Sequence, residues 1–159
     1  MPHSVTLRPR TPEDHEFLRT LYASTRTEEL AHVPWPAETK QAFLAEQFRL
    51  QTLHYDQHYP NAQFLVIESA ADGVPVGRLY LCPFGAEEMR LMDIALLPEW
   101  RSHGIGGALL RDLLESARKE GRKVTCHVEF NNPALRLYQR LGFQPVERRG
   151  AYLFMQCIP

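Results

Sequence analysis

Cysteine, glycine, net charge and long apolar runs are all scarce in this sequence, and each scarcity excludes something. Only three cysteines occur, Cys82, Cys126 and Cys157, an odd number, widely spaced and without a C-x-x-C pair. They offer no zinc or disulfide framework and suit a reducing, cytoplasmic setting. Charge nearly cancels, with 18 Lys and Arg against 19 Asp and Glu for a net −1. That argues against bulk nucleic-acid binding and against a polybasic membrane anchor. The longest apolar runs, such as Ile94-Ala95-Leu96-Leu97, fall far short of the ~20 residues that span a bilayer. The opening Met1-Pro2-His3-Ser4 lacks the basic and apolar regions of a signal peptide. No repeat, low-complexity tract or linker is visible. At 159 residues the expectation is one domain over 1–159, able to bury a core without a disulfide or metal.

What is present is unevenly distributed. Residues 1–88 carry 7 basic and 12 acidic side chains, net −5, while 89–159 carry 11 and 7, net +4. Of nine glycines, three fall within four residues: Gly104, Gly106 and Gly107.

The pattern predicts a short first strand at Val5-Thr6-Leu7. A helix then opens at Thr11-Pro12-Glu13-Asp14, where a cap hydroxyl, an early proline and two carboxylates meet the positive end of the dipole. Its apolar face is Phe17, Leu18, Leu21 and Tyr22. Val33-Pro34-Trp35-Pro36 cannot be helical, and a second helix runs from about Glu38 to Tyr55, carrying Phe43, Leu44, Phe48 and Leu50. Strands follow at Phe64–Ile67 and Val76–Cys82, joined by an Asp72-Gly73 turn, and at Arg90–Leu97. The glycine cluster opens a helix that ends at Gly121. Lys123–Glu129 is a strand, and Asn132-Pro133 starts a short helix closed by Gly142. Two last strands turn at Arg149-Gly150. The order β-α-α-β-β-β-α-β-α-β-β describes an α/β fold: a mixed, mostly antiparallel sheet flanked by helices.

Arg101-Ser102-His103-Gly104-Ile105-Gly106-Gly107 lies between a strand and a helix. Glycines there let successive amides point into one concavity, and the helix N-terminus adds roughly half a positive charge. This makes an anion site, most naturally for phosphate; the bland alternative is a tight turn, which needs one glycine rather than three. It is not a Walker loop, since no Gly-Lys-Ser/Thr follows. Leu109 stands where a dinucleotide fingerprint needs glycine.

On these residues the sequence resembles the GNAT superfamily of N-acetyltransferases. That family's coenzyme A loop reads Arg/Gln-x-x-Gly-x-Gly/Ala, matched by Arg101, Gly104 and Gly106. A second stretch, Asn131-Asn132-Pro133-Ala134-Leu135-Arg136-Leu137-Tyr138 through Gly142-Phe143, is similar to the family's Asn-x-x-Ala-x-x-Leu-Tyr…Gly-Phe signature. Ser102 departs from the family, whose loop often has a further glycine there. The resemblance implies a GNAT-like fold and acetyl transfer from acetyl-CoA to a primary amine, on a small molecule or peptide, directly within a ternary complex and without a metal. It implies that CoA phosphates bind the loop from Arg101 through Ser102, His103, Gly104, Ile105, Gly106 and Gly107. The pantetheine arm would follow the Ile94-Ala95-Leu96 backbone, flanked by Asn131, Asn132 and Ala134. Either asparagine fits the signature: Asn131 by spacing to the tyrosine, Asn132 as a helix cap.

The resemblance also assigns chemistry. The Leu96 N–H would polarise the acetyl carbonyl, and Tyr138 would give a proton to the departing sulfur. Spacing alone reads Tyr138 as part of an apolar helix face with Ala134, Leu137 and Leu141. The positions where the family often carries a general base are Arg90 and Met92, neither of them a base, and strand alternation turns Asp93 to the opposite face. His127 and Glu129 are candidate replacements, with water-mediated deprotonation or a substrate amine of low pKa equally open. A non-catalytic CoA-binding or acyl-sensing module is the alternative on the same fold. His54 and His58, spaced i,i+4, lack a third metal ligand and read as a helix-end surface. Arg148-Arg149 reads as a solvated turn. Glu28, Glu29 and Glu38 read as a solvated face, though with the acidic first half they could favour a cationic acceptor. The sequence leaves room for a homodimer.

Overall fold

The computed structural model describes residues 3–159; of the opening tetrapeptide, Met1 and Pro2 lie outside them. Strand β1 (Val5–Pro9) leads through a 3-10 turn (Pro12–Asp14) into α1 (His15–Ala31) and α2 (Ala37–His58). Then come β2 (Gln63–Ser69), β3 (Pro75–Phe84), β4 (Glu88–Leu96), α3 (Ile105–Glu120), β5 (Lys123–Glu129), α4 (Leu135–Arg140), β6 (Gln144–Arg149) and β7 (Tyr152–Cys157). The seven strands form one sheet in the order β1-β2-β3-β4-β5-β7-β6. Every pairing is antiparallel except β4 with β5. The order of elements agrees with the sequence reading. No helix among the described residues is long and apolar enough to cross a membrane.

Strand alternation sorts the sheet into two faces. Leu79, Leu81, Leu91, Val124, Cys126 and Met155 point to one face, where Leu110, Leu114 and Ala117 of α3 and Tyr138 of α4 complete the main core. On the other face Leu18, Leu21 and Tyr22 of α1 pack with Phe48 of α2 over Ala95 and Leu97. α2 buries only Phe48 fully, and Leu50, placed on its apolar side by the sequence, is exposed. α3 stops at Gly121, in the left-handed region at φ 69°, where the Arg122 N–H returns to the Ala117 carbonyl. α4 begins two residues later than expected, at Leu135, after Asn132 Oδ1 accepts from the Ala134 N–H at 2.9 Å.

Two features of β4 shape everything that follows. First, β4 and β5 pair only at Glu88–Lys123, Met89–Val124 and Arg90–Thr125; beyond that seam no ladder joins them. Second, Tyr80 faces Asp93 while Leu81 faces Leu91, so Met92 is an extra residue in a β-bulge. A bulge bends its strand and resets its alternation. It lies just past the seam, where β4 leaves β5. It also corrects the expected facing of Asp93, which shares its face with Arg90 across from Tyr80 and Cys82. On the other edge of β4, Gly77 of β3 is indispensable: a Cβ there would collide with the Ala95 carbonyl oxygen.

The start of α1 is tied to the sheet by a buried ion pair. Asp14, 5% exposed, accepts from both terminal nitrogens of Arg8 at 2.7 and 2.8 Å and from the Thr11 N–H at 2.8 Å. The Arg8 guanidinium, first among these causes, holds the Asp14 carboxyl at about 2, below its usual 3.8. A depressed carboxyl stabilises the fold fully above its ordinary range and ceases to do so as pH falls through the folded value. We therefore expect Asp14→Asn to cost about 2 kcal/mol at pH 7. In denaturant titrations that difference should shrink below pH 4 and be nearly gone by pH 2.

Candidate active site

The glycine-rich loop follows a 3-10 turn at Pro98–Trp100, which carries the chain off the end of β4. Ser102 (φ 63°) and Gly104 (φ 81°) both take left-handed conformations. Ser102 thus occupies a backbone that glycine adopts freely, which explains why a glycine suits this place. The N–H groups of the six residues Ser102 to Gly107 have no acceptor among the described residues; the first helical bond is Ala108 N–H to Gly104 carbonyl. A Cβ added to Gly106 would meet nothing within 4 Å, whereas Gly107 is packed against Arg111 and Leu137. Inside the chain nothing requires position 106 to lack a side chain. The open space above it lets an outside group reach the amides, as a phosphate would.

Neighbouring side chains are placed less simply. Arg101 does not extend over the loop amides: its Nε donates to the Leu96 carbonyl at 3.0 Å and its terminal nitrogen reaches Ser24 at 3.4 Å. The His103 ring stacks on His3 at 4.0 Å. Asn132 is engaged in the turn before α4, while Asn131 is exposed with no partner among the described residues. The structure thus separates the two asparagines.

Between β4 and β5 lies a gap. The Leu97 N–H bonds to Val76 on β3. By the alternation of an antiparallel ladder, the amides of Ile94 and Leu96 then face the other edge, into the gap. Ala95, between them, points its amide to β3. Tyr138 is 7% exposed, packed edge-on against Phe143 at 5.5 Å. Burial, with smaller contributions from Cys126 and Asp93, pushes its phenol well above the usual range. No group among the described residues bonds its hydroxyl, and no fully buried side-chain nitrogen or oxygen among them is left unpaired. The hydroxyl therefore keeps an opening to the outside: a protonated donor with nothing to donate to inside the chain.

On the face shared with α2, beside the seam, lies a cleft of about 340 Å³. Its floor is Arg90, Leu91 and Met92, at the seam and bulge. Its walls are His54, Tyr55 and Tyr59 from the end of α2, His127 from β5, and Arg149 and Tyr152 from the last hairpin. Arg90 is a strap across the seam, donating to Thr125 Oγ1 at 2.8 Å and Glu88 at 3.0 Å, while Thr125 donates to the same carboxylate at 2.5 Å. Asp93 is held by the buried Arg78 at 2.6 Å. Glu129 accepts from the Tyr152 hydroxyl at 3.4 Å. His127 lies 3.2 Å from an Arg149 nitrogen. Burial, then the charges of Arg90 and Arg149, lower its pKa below the ordinary 6.5 and keep it neutral near pH 7.

Sequence reasoning missed most of this cleft. Arg149, read as a solvated turn, folds back to His127 and over the Phe154 ring at 4.7 Å; Arg148 does the turn's work, over Phe130 at 4.0 Å. His54 and His58 stack on each other at 4.4 Å, and His54 also lines the cleft. The one signal that could have pointed here is Tyr55 and Tyr59, aromatics one helical turn apart at the end of α2 and 5.9 Å apart in space. Glu28, Glu29 and Glu38 do not line the cleft, and Glu29 is paired with Arg26.

Known proteins are similar to this chain in fold or in sequence. The PaiA N-acetyltransferase of Thermoplasma acidophilum, solved in complex with coenzyme A, superposes with a TM-score of 0.73 over 98% of this chain and 99% of its own, at 21% identity. The [ribosomal protein bS18]-alanine N-acetyltransferase of Haemophilus influenzae is 32% identical over 73 residues, 45% of this chain and 50% of that one. Mouse Cysteine-rich protein 2-binding protein is 42% identical over 50 residues, 31% of this chain but only 6% of its own length. The aligned stretches thus cover half or less of these two sequence relatives. The Acetyltransferase (GNAT) family model matches residues 18–143, from α1 through the loop, the gap and Tyr138 to the end of the signature, and the chain belongs to that family.

Proposed function

We propose that this protein transfers an acetyl group from acetyl-CoA to a primary amine in one direct step, with both substrates bound. The observation that carries the reading is the row of unpartnered amides at Ser102–Gly107, under open space at Gly106 and beside the β4–β5 gap. These residues fit the co-substrate: the loop amides would hold its phosphates, and the Ile94 and Leu96 backbone its arm. Asn131 would flank it, while Asn132 and Ala134 shape the turn beside it. Arg101, bonded to Leu96, would fix where β4 ends. Acetyl-CoA supplies the activated acetyl thioester. The chain supplies an amide for the carbonyl oxygen, from Leu96 with Ile94 facing the same gap, and a phenolic proton from Tyr138 for the sulfur.

His127 is the base that takes the proton from the amine. It lines the cleft, which Glu129 does not, and its pKa is lowered; Arg149, which now donates to its Nε2 at 3.2 Å, has to release that nitrogen for it to accept the proton. Direct transfer is supported by the cysteines. All three are buried, and burial raises each thiol, Cys126 to about 12, which keeps them protonated and poor nucleophiles. The relative named for an alanine acceptor supports a primary amine as the acceptor class.

CoA release from acetyl-CoA, measured with a panel of amines, tests the reading. Turnover on at least one amine is expected, with an acid limb in kcat below pH 6.5 that disappears in His127→Gln. CoA binding without release on any amine would instead mark a non-catalytic CoA-binding module.

A further inference from the structure

We infer that the acceptor is a small amine bearing a carboxylate, of the amino-acid type, and that Arg149 selects it. The inference rests on the acetyl-transfer reading and names the substrate class of the same site. It starts from the charges of the cleft. No aspartate or glutamate lines it, but two guanidiniums do, Arg90 and Arg149. Glu88, Glu129 and Glu147, the carboxylates nearest by bonding, are held by Arg90 and Thr125, by Tyr152 and by Arg149, and none of them lines the cleft. A polyamine would find cations facing it. The charge sum of the first half of the chain pointed to a cationic acceptor; the local geometry points the other way.

The two arginines differ in availability. Arg90 is 12% exposed and committed to the seam through Glu88 and Thr125. Arg149 is 51% exposed, and its one ion pair among the described residues is with Glu147, itself 55% exposed and two residues away on the same strand. Such a solvated pair contributes little, so a ligand carboxylate exchanges with it at small cost. Meanwhile the Arg149 guanidinium is already oriented, over Phe154 at 4.7 Å and with one nitrogen 3.2 Å from His127. A carboxylate on Arg149 would therefore bring the amine of a short molecule to the histidine. Tyr55, Tyr59 and Tyr152 offer aromatic faces for the rest of it. The volume of about 340 Å³ is at the small end of ligand pockets, which suits a single amino acid.

The test compares amino acids with their amides, and both with a polyamine, as acceptors for the full-length protein. kcat/KM should favour acid over amide by about 10–100-fold, the range of a hydrogen bond to a charged group. In Arg149→Gln the acid-to-amide ratio should collapse toward one, and Arg149→Lys should restore part of it. A merely structural role would lower both substrates together and leave the ratio unchanged, which would overturn the inference. Equal use of acid and amide by the unaltered protein, or a preference for the polyamine, would also overturn it. A second arm needs no turnover: calorimetric titration of N-acetyl amino acids and N-acetyl amino amides onto the protein with CoA present. Selective binding of the acids, lost in Arg149→Gln, supports the site even if acetyl transfer fails; equal binding, or binding of neither, removes it.

Discussion

Tyr138→Phe is expected to lower kcat by about 10²-fold, the lower end of what one positioned general acid contributes. KM for acetyl-CoA should change little, because the ring and its edge contact with Phe143 are retained. Stability should also hold. The hydroxyl has no bonding partner among the described residues, so its removal leaves no buried group unpaired. The raised phenol pKa gives the result its meaning. A tyrosine that stays protonated throughout the working pH range can give a proton but cannot be the base. The loss should therefore be the same factor at pH 6 and pH 9. A loss confined to high pH would place Tyr138 in a different role, and full activity would leave it as core packing.

Gly106→Leu should separate binding from folding. The position lies in the first turn of α3, where an added Cβ would have nothing within 4 Å. Leucine favours a helix over glycine by roughly 0.5–1 kcal/mol, so the variant should melt slightly higher, by about 2–4 °C for a chain of this size. Yet the side chain would fill the approach to the Ser102–Gly107 amides. We expect the Kd for CoA to rise at least ~100-fold, the effect of denying the phosphates their charge-assisted bonds. Stability and affinity would move in opposite directions, which a general folding defect cannot produce. Equilibrium CoA binding and a thermal melt on one preparation decide it; unchanged affinity would place the phosphates elsewhere.

Much of the fold was legible because its signals are local. Gly121 stops α3, Asp72-Gly73 and Arg149-Gly150 turn two hairpins, and periodicity set the helices. The loop and Tyr138 were legible through motifs. Three things were not, and each depends on partners far away in the chain. The insertion of β7 between β5 and β6 follows from pairing energies that no single segment encodes. The bulge at Met92 is one surplus residue in β4, invisible without β3, and it moved Asp93 to the face from which alternation had excluded it. Arg149 carries no sequence mark that distinguishes it from Arg148. Its inward course is set by His127, 22 residues upstream, and by Phe154 on the neighbouring strand. Motifs thus pointed to the side proposed for the co-substrate, and the side proposed for the acceptor came only from tertiary packing.

The short seam between β4 and β5 also bears on how the chain folds. It divides the sheet by sequence as well as in space: β1 to β4 come from residues 5–96 and β5 to β7 from 123–157. Within each half the strands pair antiparallel, and β2–β3, β3–β4 and β6–β7 are hairpins with short loops that can form early. Joining the halves requires closing the crossover through α3, and its return is three residue pairs of parallel ladder together with the main core that both halves share with α3. The bonds from Arg90 to Thr125 and from Thr125 to Glu88 then act as a latch on that joining step. Weakening the latch should mainly speed unfolding while leaving early folding of each half untouched.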